Sequence, residues 1–122
     1  MTQNEKDLLV KDLSARLPYG VKVQLSYRTP LKLLSIGVNG SAWVTGDKGY
    51  PFEIDWSNCK PYLFPLESMT DEQNLEYLCT CKGGNAGVPT LASFEWCNKN
   101  HFDYRDLIPM GLANDATGIN IY

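Results

Sequence analysis

The hydrophobic period of this chain changes once, near residue 20, and that change constrains its fold more than any other feature. Residues 4–17 carry Leu9, Leu13 and Leu17 on one helical face, and Pro18 ends the pattern because its ring cannot continue the hydrogen-bonded ladder. From Val21 to Arg28 apolar and polar residues alternate, as in a strand with one buried face. The sequence therefore predicts a helix that is followed by a sheet.

Three further alternating segments follow at 31–38, 42–45 and 50–56, and each is bounded by turn residues. Asn39-Gly40 is a two-residue turn signal, since both residues tolerate a positive φ, and Gly-Asp-Lys-Gly at 46–49 is a second turn. Short strands joined by tight turns form an antiparallel meander. We therefore expect a four-stranded antiparallel curled sheet, either SH3-like or a partly open barrel.

The second half of the chain predicts helices. Residues 57–68 have two prolines and no period, so we expect them to cross the sheet. Thr70 and Gln73 have the capping-box spacing of a helix that runs to about Thr80, and Pro89 opens another helix that runs to about Asn98. A short last helix is expected near 103–108. The fold class is therefore α+β, a single domain over 1–122 with an N-terminal helix, the sheet and two to three C-terminal helices.

Composition excludes several classes of protein. The 122 residues have a net charge of only −3 and include three Trp, seven Tyr and four Phe, so the chain has apolar surface to bury and is not disordered. No apolar run approaches the roughly 20 residues that cross a bilayer. The N-terminus lacks the basic and apolar regions of a signal peptide, so we expect a cytoplasmic protein with free thiols.

The residues with metal-binding or catalytic chemistry are Cys79, Cys81, Cys97 and His101. Zinc takes such ligands, and Cys97 and His101 would share a helical face, but a one-residue gap between two cysteines is narrower than zinc sites use. We expect no metal and no cofactor, and keep a small zinc-binding domain as an alternative. No activating signature surrounds His101, so we expect a surface or helix-capping histidine, no catalytic residues and no enzymatic activity.

Two regions could bind a partner. Residues 13–46 contain no acid, and Lys22, Arg28 and Lys32 lie near Trp43, which is typical of a basic sheet face that binds nucleic acid, although the acidic total opposes it. The segment 102–112 is too apolar for a free tail. It either docks on the domain or presents a patch in which Tyr104 and Arg105 bind a protein. Asp103 is expected to cap the last helix, and Arg105 to pair with an acid of 71–76.

Three segments carry a family resemblance: LPYGVKV at 17–23, PLESMTDEQ at 65–73 and HFDYRDLIPMGLANDA at 101–116. Together they resemble small uncharacterised proteins encoded in prophages and other mobile elements of gut commensal anaerobes. The resemblance implies a cytoplasmic, phage-related setting and no particular activity. We expect a non-enzymatic protein-interaction module whose partner is a host or phage protein, and the alternative is a small nucleic-acid-binding barrel.

Overall fold

The computed structural model describes residues 2–25, 30–37, 40–46, 49–83 and 87–122. Its helices and strands follow in this order: α1 (Gln3–Arg16), β1 (Lys22–Gln24), β2 (Leu31–Ile36), β3 (Ser41–Thr45), β4 (Phe52–Asp55), β5 (Lys60–Pro65), α2 (Asp71–Thr80), α3 (Leu91–Lys99), β6 (Phe102–Asp103) and β7 (Asn114–Asp115). None of the helices in this part of the chain is long and apolar enough to cross a membrane.

Capping boxes start the first two helices. The Thr70 hydroxyl accepts a hydrogen bond from the Gln73 N–H at 3.2 Å, and the Gln73 side chain accepts one from the Thr70 N–H at 2.9 Å. Thr2 and Glu5 exchange the same pair of hydrogen bonds at the start of α1. Each box satisfies N–H groups that have no acceptor within the helix. The predicted N-terminal helix and the helix after Thr70 are confirmed.

The prediction of a four-stranded antiparallel barrel was wrong, because the described residues form one mixed sheet of seven strands. β1 to β4 do form an antiparallel meander, but β5 extends it by pairing antiparallel with β1. β6 and β7 then pair parallel with β5. Since α2 and α3 lie between β5 and β6, the chain returns to the sheet after its helices. Residues 26–29, 38–39 and 47–48 of the predicted strands and turns lie outside the described residues.

β5 replaces the irregular crossing segment that we expected at 57–68. Pro61, Tyr62 and Leu63 are buried one after another. A strand that is covered on both faces has no alternation of apolar and polar residues, so it carries no two-residue period. Prolines are also rare inside sheets, because they cannot donate to the ladder. Both properties hid the strand that joins the two halves of the sheet.

The short helix that we expected near 103–108 is also wrong, since these residues form a strand end and turns. The Asp103 carboxylate accepts hydrogen bonds from the N–H groups of Leu107 and Ile108, both at 2.9 Å. Asp106 has a φ of 59°, which no right-handed helix contains. Asp103 therefore caps a turn, and this turn places Leu107 in the core, so the 102–112 segment docks on the domain.

The core has two parts, and α1 contacts both. Leu9 and Leu13 pack with the buried residues of β1, β2 and β3, whereas Leu8 packs with Leu63 of β5 and the docked segment around Leu107. The stripe of α1 that begins with Leu8 continues with two polar residues: Asp12 and Arg16 are fully buried.

Candidate functional site

A groove of about 430 Å³ lies between α1, α3 and the loop that follows β6. This volume is within the range of roughly 300–1,000 Å³ that is usual for ligand sites. The lining side chains come from all three segments: Lys11, Ala15, Leu91, Phe94, Glu95, Asn98, Tyr104 and Arg105.

One face of each helix forms a wall of this groove. The four lining residues of α3 lie at i, i+3, i+4 and i+7, and the two of α1 lie at i and i+4, so each set shares a face. Leu91 is 81% exposed and Phe94 is 39% exposed, whereas Ser93 and Cys97 on the other side of α3 are buried. The face of α3 that turns toward the groove therefore presents apolar side chains to solvent.

A buried ionic network supports the groove from below. The Asp12 carboxylate accepts a hydrogen bond from the Arg16 Nε at 2.9 Å and from an Arg105 Nη at 2.7 Å. Arg16 also donates to the backbone oxygens of Phe102, at 2.6 Å, and Cys97, at 3.3 Å. Buried charges are stable only when they are paired and hydrogen-bonded, and here each has its partners. The network ties α1 to α3 and β6, and fixes the position of Arg105.

Tyr104 forms the apolar floor beside Arg105. Its ring centroid lies 5.0 Å from that of Phe94 and 4.4 Å from the Arg105 Cζ, with the Arg16 Cζ 5.5 Å away. Cations over an aromatic face are attracted to its electron density. The Tyr104 ring is thus held by contacts with an aromatic ring and two guanidinium groups.

The groove is positive on a protein that is negative overall. Lys11, Arg16 and Arg105 supply three positive charges, and Asp12 and Glu95 supply two negative ones, so the region carries +1 against −3 for the chain. Of the five N–H donors of Arg105, one is bonded to Asp12, and the others have no acceptor among the described residues.

Asn98 adds a polar group without a partner. Its side chain lines the groove and is 7% exposed, and its Oδ1 accepts no hydrogen bond within the described part of the chain. A buried polar atom without a partner costs roughly 1–3 kcal/mol, so most such atoms in proteins are bonded. Asn98 therefore has a buried carbonyl oxygen without a hydrogen-bond donor within the described chain, and rotation of the amide would be needed to turn this oxygen toward the groove.

Sequence reasoning found part of this site. It selected Tyr104 and Arg105, but the expected pairing of Arg105 with an acid of 71–76 was wrong, since its partner is Asp12. It missed Lys11, Leu91 and Asn98. The i, i+4 spacing of Asp12 and Arg16 is the signal that could have indicated the network, because such pairs meet on a helix surface.

The predicted basic sheet face is present in part. Lys22 and Lys32 are direct cross-strand partners, and Trp43 is 43% exposed on β3. However, Trp43 lies opposite Glu53 of β4, and Arg16, from the same basic stretch of sequence, is buried. Arg28 lies outside the described residues.

Among the described residues, no three His, Cys, Asp or Glu side chains are grouped so that they could hold a metal ion. Cys79 is exposed, the Cys81 thiol donates to the Tyr77 oxygen at 3.4 Å, and Cys97 is buried, which raises the pKa of its thiol to about 11. His101 is not a surface or capping residue as expected. It is buried with its ring stacked on Tyr122 at 3.7 Å, and burial, together with the Arg16 charge, lowers its pKa to about 4.

Comparison of the chain with protein-family models, with curated proteins and with solved structures gives no match.

Proposed function

We propose that this protein is a non-enzymatic protein-interaction module that holds a segment of its partner in the groove between α1 and α3. The observation that carries the proposal is the exposure of Leu91, at 81%, beside Phe94 in a formed groove. Large apolar side chains grouped in a concave surface with a polar rim are typical of interaction sites. The proposal includes a cytoplasmic setting in a prophage or mobile element, with a host or phage protein as partner.

The chemistry of the two buried thiols and of His101 supports a role other than catalysis. Burial raises the pKa of both the Cys59 and Cys97 thiols to about 11, so both stay protonated near neutral pH and are poor nucleophiles. His101 is buried under the Tyr122 ring, and its lowered pKa keeps it uncharged. None of these groups lines the groove.

The groove also supports protein binding better than the basic sheet face supports nucleic-acid binding. Affinity for nucleic acid grows with the number of phosphates that a protein neutralises. Lys22, Lys32 and Lys60 are described cations of that face, since Lys60 pairs with Gln24 two residues along β1 from Lys22, but Glu53 lies opposite its exposed aromatic, Trp43. The chain as a whole is acidic, with a net charge of −3.

A substitution at the most exposed groove residue tests the proposal. Leu91→Glu places a charge where the partner's apolar surface would pack, and loss of a central apolar contact weakens binding by about tenfold or more. Leu75→Glu is the matched control, because Leu75 is 65% exposed on α2 and does not line the groove. We expect native pull-downs from host cells to recover a partner with the wild type and with Leu75→Glu, and to lose it with Leu91→Glu.

Thermal melting of both variants checks that each is folded. Recovery of the same partner with Leu91→Glu, or equal loss with both variants, contradicts the proposal. So does the absence of any reproducible partner of the wild type.

A further inference from the structure

The polar lining of the groove indicates the chemistry of its occupant. We infer that the groove binds an extended acidic peptide segment of the partner. A carboxylate of the peptide pairs with Arg105 and Lys11, and one of its peptide units forms a hydrogen bond with Asn98. An apolar side chain of the peptide packs on Leu91 and Phe94. The inference rests on the proposed function and adds the recognition chemistry.

The two positively charged side chains of the groove, Arg105 and Lys11, select a carboxylate. Arg105 is oriented by its bond to Asp12 and by the Tyr104 ring, so little freedom is lost when its free N–H groups bind a ligand. Lys11 is exposed on the α1 wall, next in sequence to the Asp12 that Arg105 contacts, and adds a second positive charge. A guanidinium that is held in place presents a fork that matches the two oxygens of a carboxylate.

The amide of Asn98 selects a peptide unit. A carboxamide contains one acceptor and one donor group, and so does a backbone peptide. Rotation about χ2 exchanges the positions of Oδ1 and Nδ2, so Asn98 can form a hydrogen bond with either the N–H or the C=O of a bound peptide. After rotation turns the buried Oδ1 toward the groove, a peptide N–H would supply the hydrogen bond that this atom lacks within the described chain. A phosphate group, which has no N–H, would not.

The geometry of α3 sets the length of the segment. Leu91 and Asn98 are seven residues apart on one face of α3, which corresponds to about 10 Å along the axis. An extended chain rises about 3.3 Å per residue, so about three residues span this wall. A short segment that combines an apolar and an acidic residue can therefore contact both the apolar pair, Leu91 and Phe94, and the cation Arg105.

Nucleic acid fits the same surface poorly. Glu95 lies in the groove, and the region has a net charge of only +1, which can balance a single carboxylate but not the phosphate that every nucleotide of a strand carries. Single-stranded nucleic acid is held by a continuous positive groove with stacking aromatics along it. Two accessible cations beside an exposed leucine instead match a mixed apolar and acidic peptide.

The experiment is selection from a displayed library of short random peptides on the purified full chain. We expect the selected peptides to combine Asp or Glu with an apolar residue about two positions away. For the best of them, fluorescence anisotropy at about 0.15 M salt should show binding that weakens when its acid is changed to the corresponding amide.

Lys11→Gln should weaken that binding about two- to fivefold, as expected for one exposed ion pair. Lys6→Gln is the matched control, because it removes the same charge from α1 outside the groove and should change the affinity little. Asn98→Ala, which removes the unpartnered amide, should weaken binding about threefold to tenfold.

The outcomes separate this inference from the proposed function. Selected peptides without acids whose binding Leu91→Glu abolishes would overturn the inference and leave the proposed function standing. No selected peptide at all, or acidic peptides that bind Lys11→Gln and Asn98→Ala as tightly as the wild type, would overturn it too. Displacement of the bound peptide by a single-stranded oligonucleotide would also overturn it. So would sedimentation experiments in which the wild type is a dimer and Leu91→Glu a monomer, because a second copy of the chain would then fill the groove.

Discussion

Asp12 is the single carboxylate between two guanidinium groups, in a place that water does not reach. Asp12→Asn keeps the size of the side chain and removes its charge, which leaves Arg16 buried without a counter-ion. Breaking a buried pair in this way costs about 3–5 kcal/mol. We expect that loss in the free energy of unfolding, measured by urea denaturation.

Asp7→Asn is the control for this change. Asp7 is exposed on α1 and bonds only to the Gln3 side chain among the described residues, so its loss should cost less than about 0.5 kcal/mol. A similar loss in both variants would mean that the buried network contributes no more than an exposed carboxylate does.

His101 makes the stability of the fold depend on pH. Its folded pKa of about 4 lies below its ordinary value of 6.5, because burial and the Arg16 charge disfavour the protonated ring. The stabilisation is complete above pH 6.5, falls as the pH decreases toward 4, and changes no further below that. The total is on the order of 3 kcal/mol. Urea denaturation between pH 7 and 4 should show this decrease.

His101→Asn should flatten that decrease relative to the wild type. Asparagine is a suitable replacement because His101 has a φ of 63°, and asparagine also tolerates this conformation. The loss of the Tyr122 stacking contact lowers stability at every pH, so the test compares slopes. Identical slopes for the two proteins would contradict a buried, uncharged His101.

At the scale of elements, a tyrosine hydroxyl joins two strands. The Tyr122 hydroxyl accepts a hydrogen bond from the Lys22 N–H of β1 and donates one to the Tyr62 oxygen of β5, both at 2.8 Å. Burial raises the pKa of Tyr122 to about 12, so the hydroxyl keeps its proton at neutral pH. It bridges β1 and β5 just beyond the residues that pair directly.

Tyr122→Phe removes this bridge and keeps the ring on His101. Two backbone groups lose their partner, so we expect a loss of about 1–2 kcal/mol in the free energy of unfolding and faster amide hydrogen exchange at Lys22. Tyr50→Phe is the control, because Tyr50 is 93% exposed and its loss should have no measurable effect. Unchanged exchange at Lys22 in Tyr122→Phe would show that the bridge does not protect the amide.

The elements that show a hydrophobic period or a helix-capping sequence were predictable from the sequence, and the others were not. Leu9 and Leu13 gave α1 its period, Thr70 and Gln73 marked the start of α2, and alternation indicated the meander. β5 lacks alternation because both of its faces are covered. β6 and β7 are two residues long and pair parallel with a distant strand, so their existence depends on where α2 and α3 return the chain.

For the whole molecule, what sequence reasoning could not predict is how separate segments come together. Tyr104 and Arg105 stood out because their segment is apolar and charged at once. The groove, however, exists only where α1 and α3 face each other, and Lys11 and Leu91 are eighty residues apart in the sequence. The hydrophobic period of one segment does not indicate which distant segment will pack against it. The buried position of Arg16 was unpredictable for the same reason, since its acceptors are on α3 and β6.

The bonds from Arg16 to Cys97 and Phe102 close loops of 81 and 86 residues. During synthesis at about 5–20 residues per second, α1 exists for roughly 4–17 seconds before its acceptors have been made. In that interval Asp12 and Arg16 form an i, i+4 pair in water, which favours the helix locally at little cost. The pair that lies in the interior of the folded protein therefore needs no later residue of the chain in order to form.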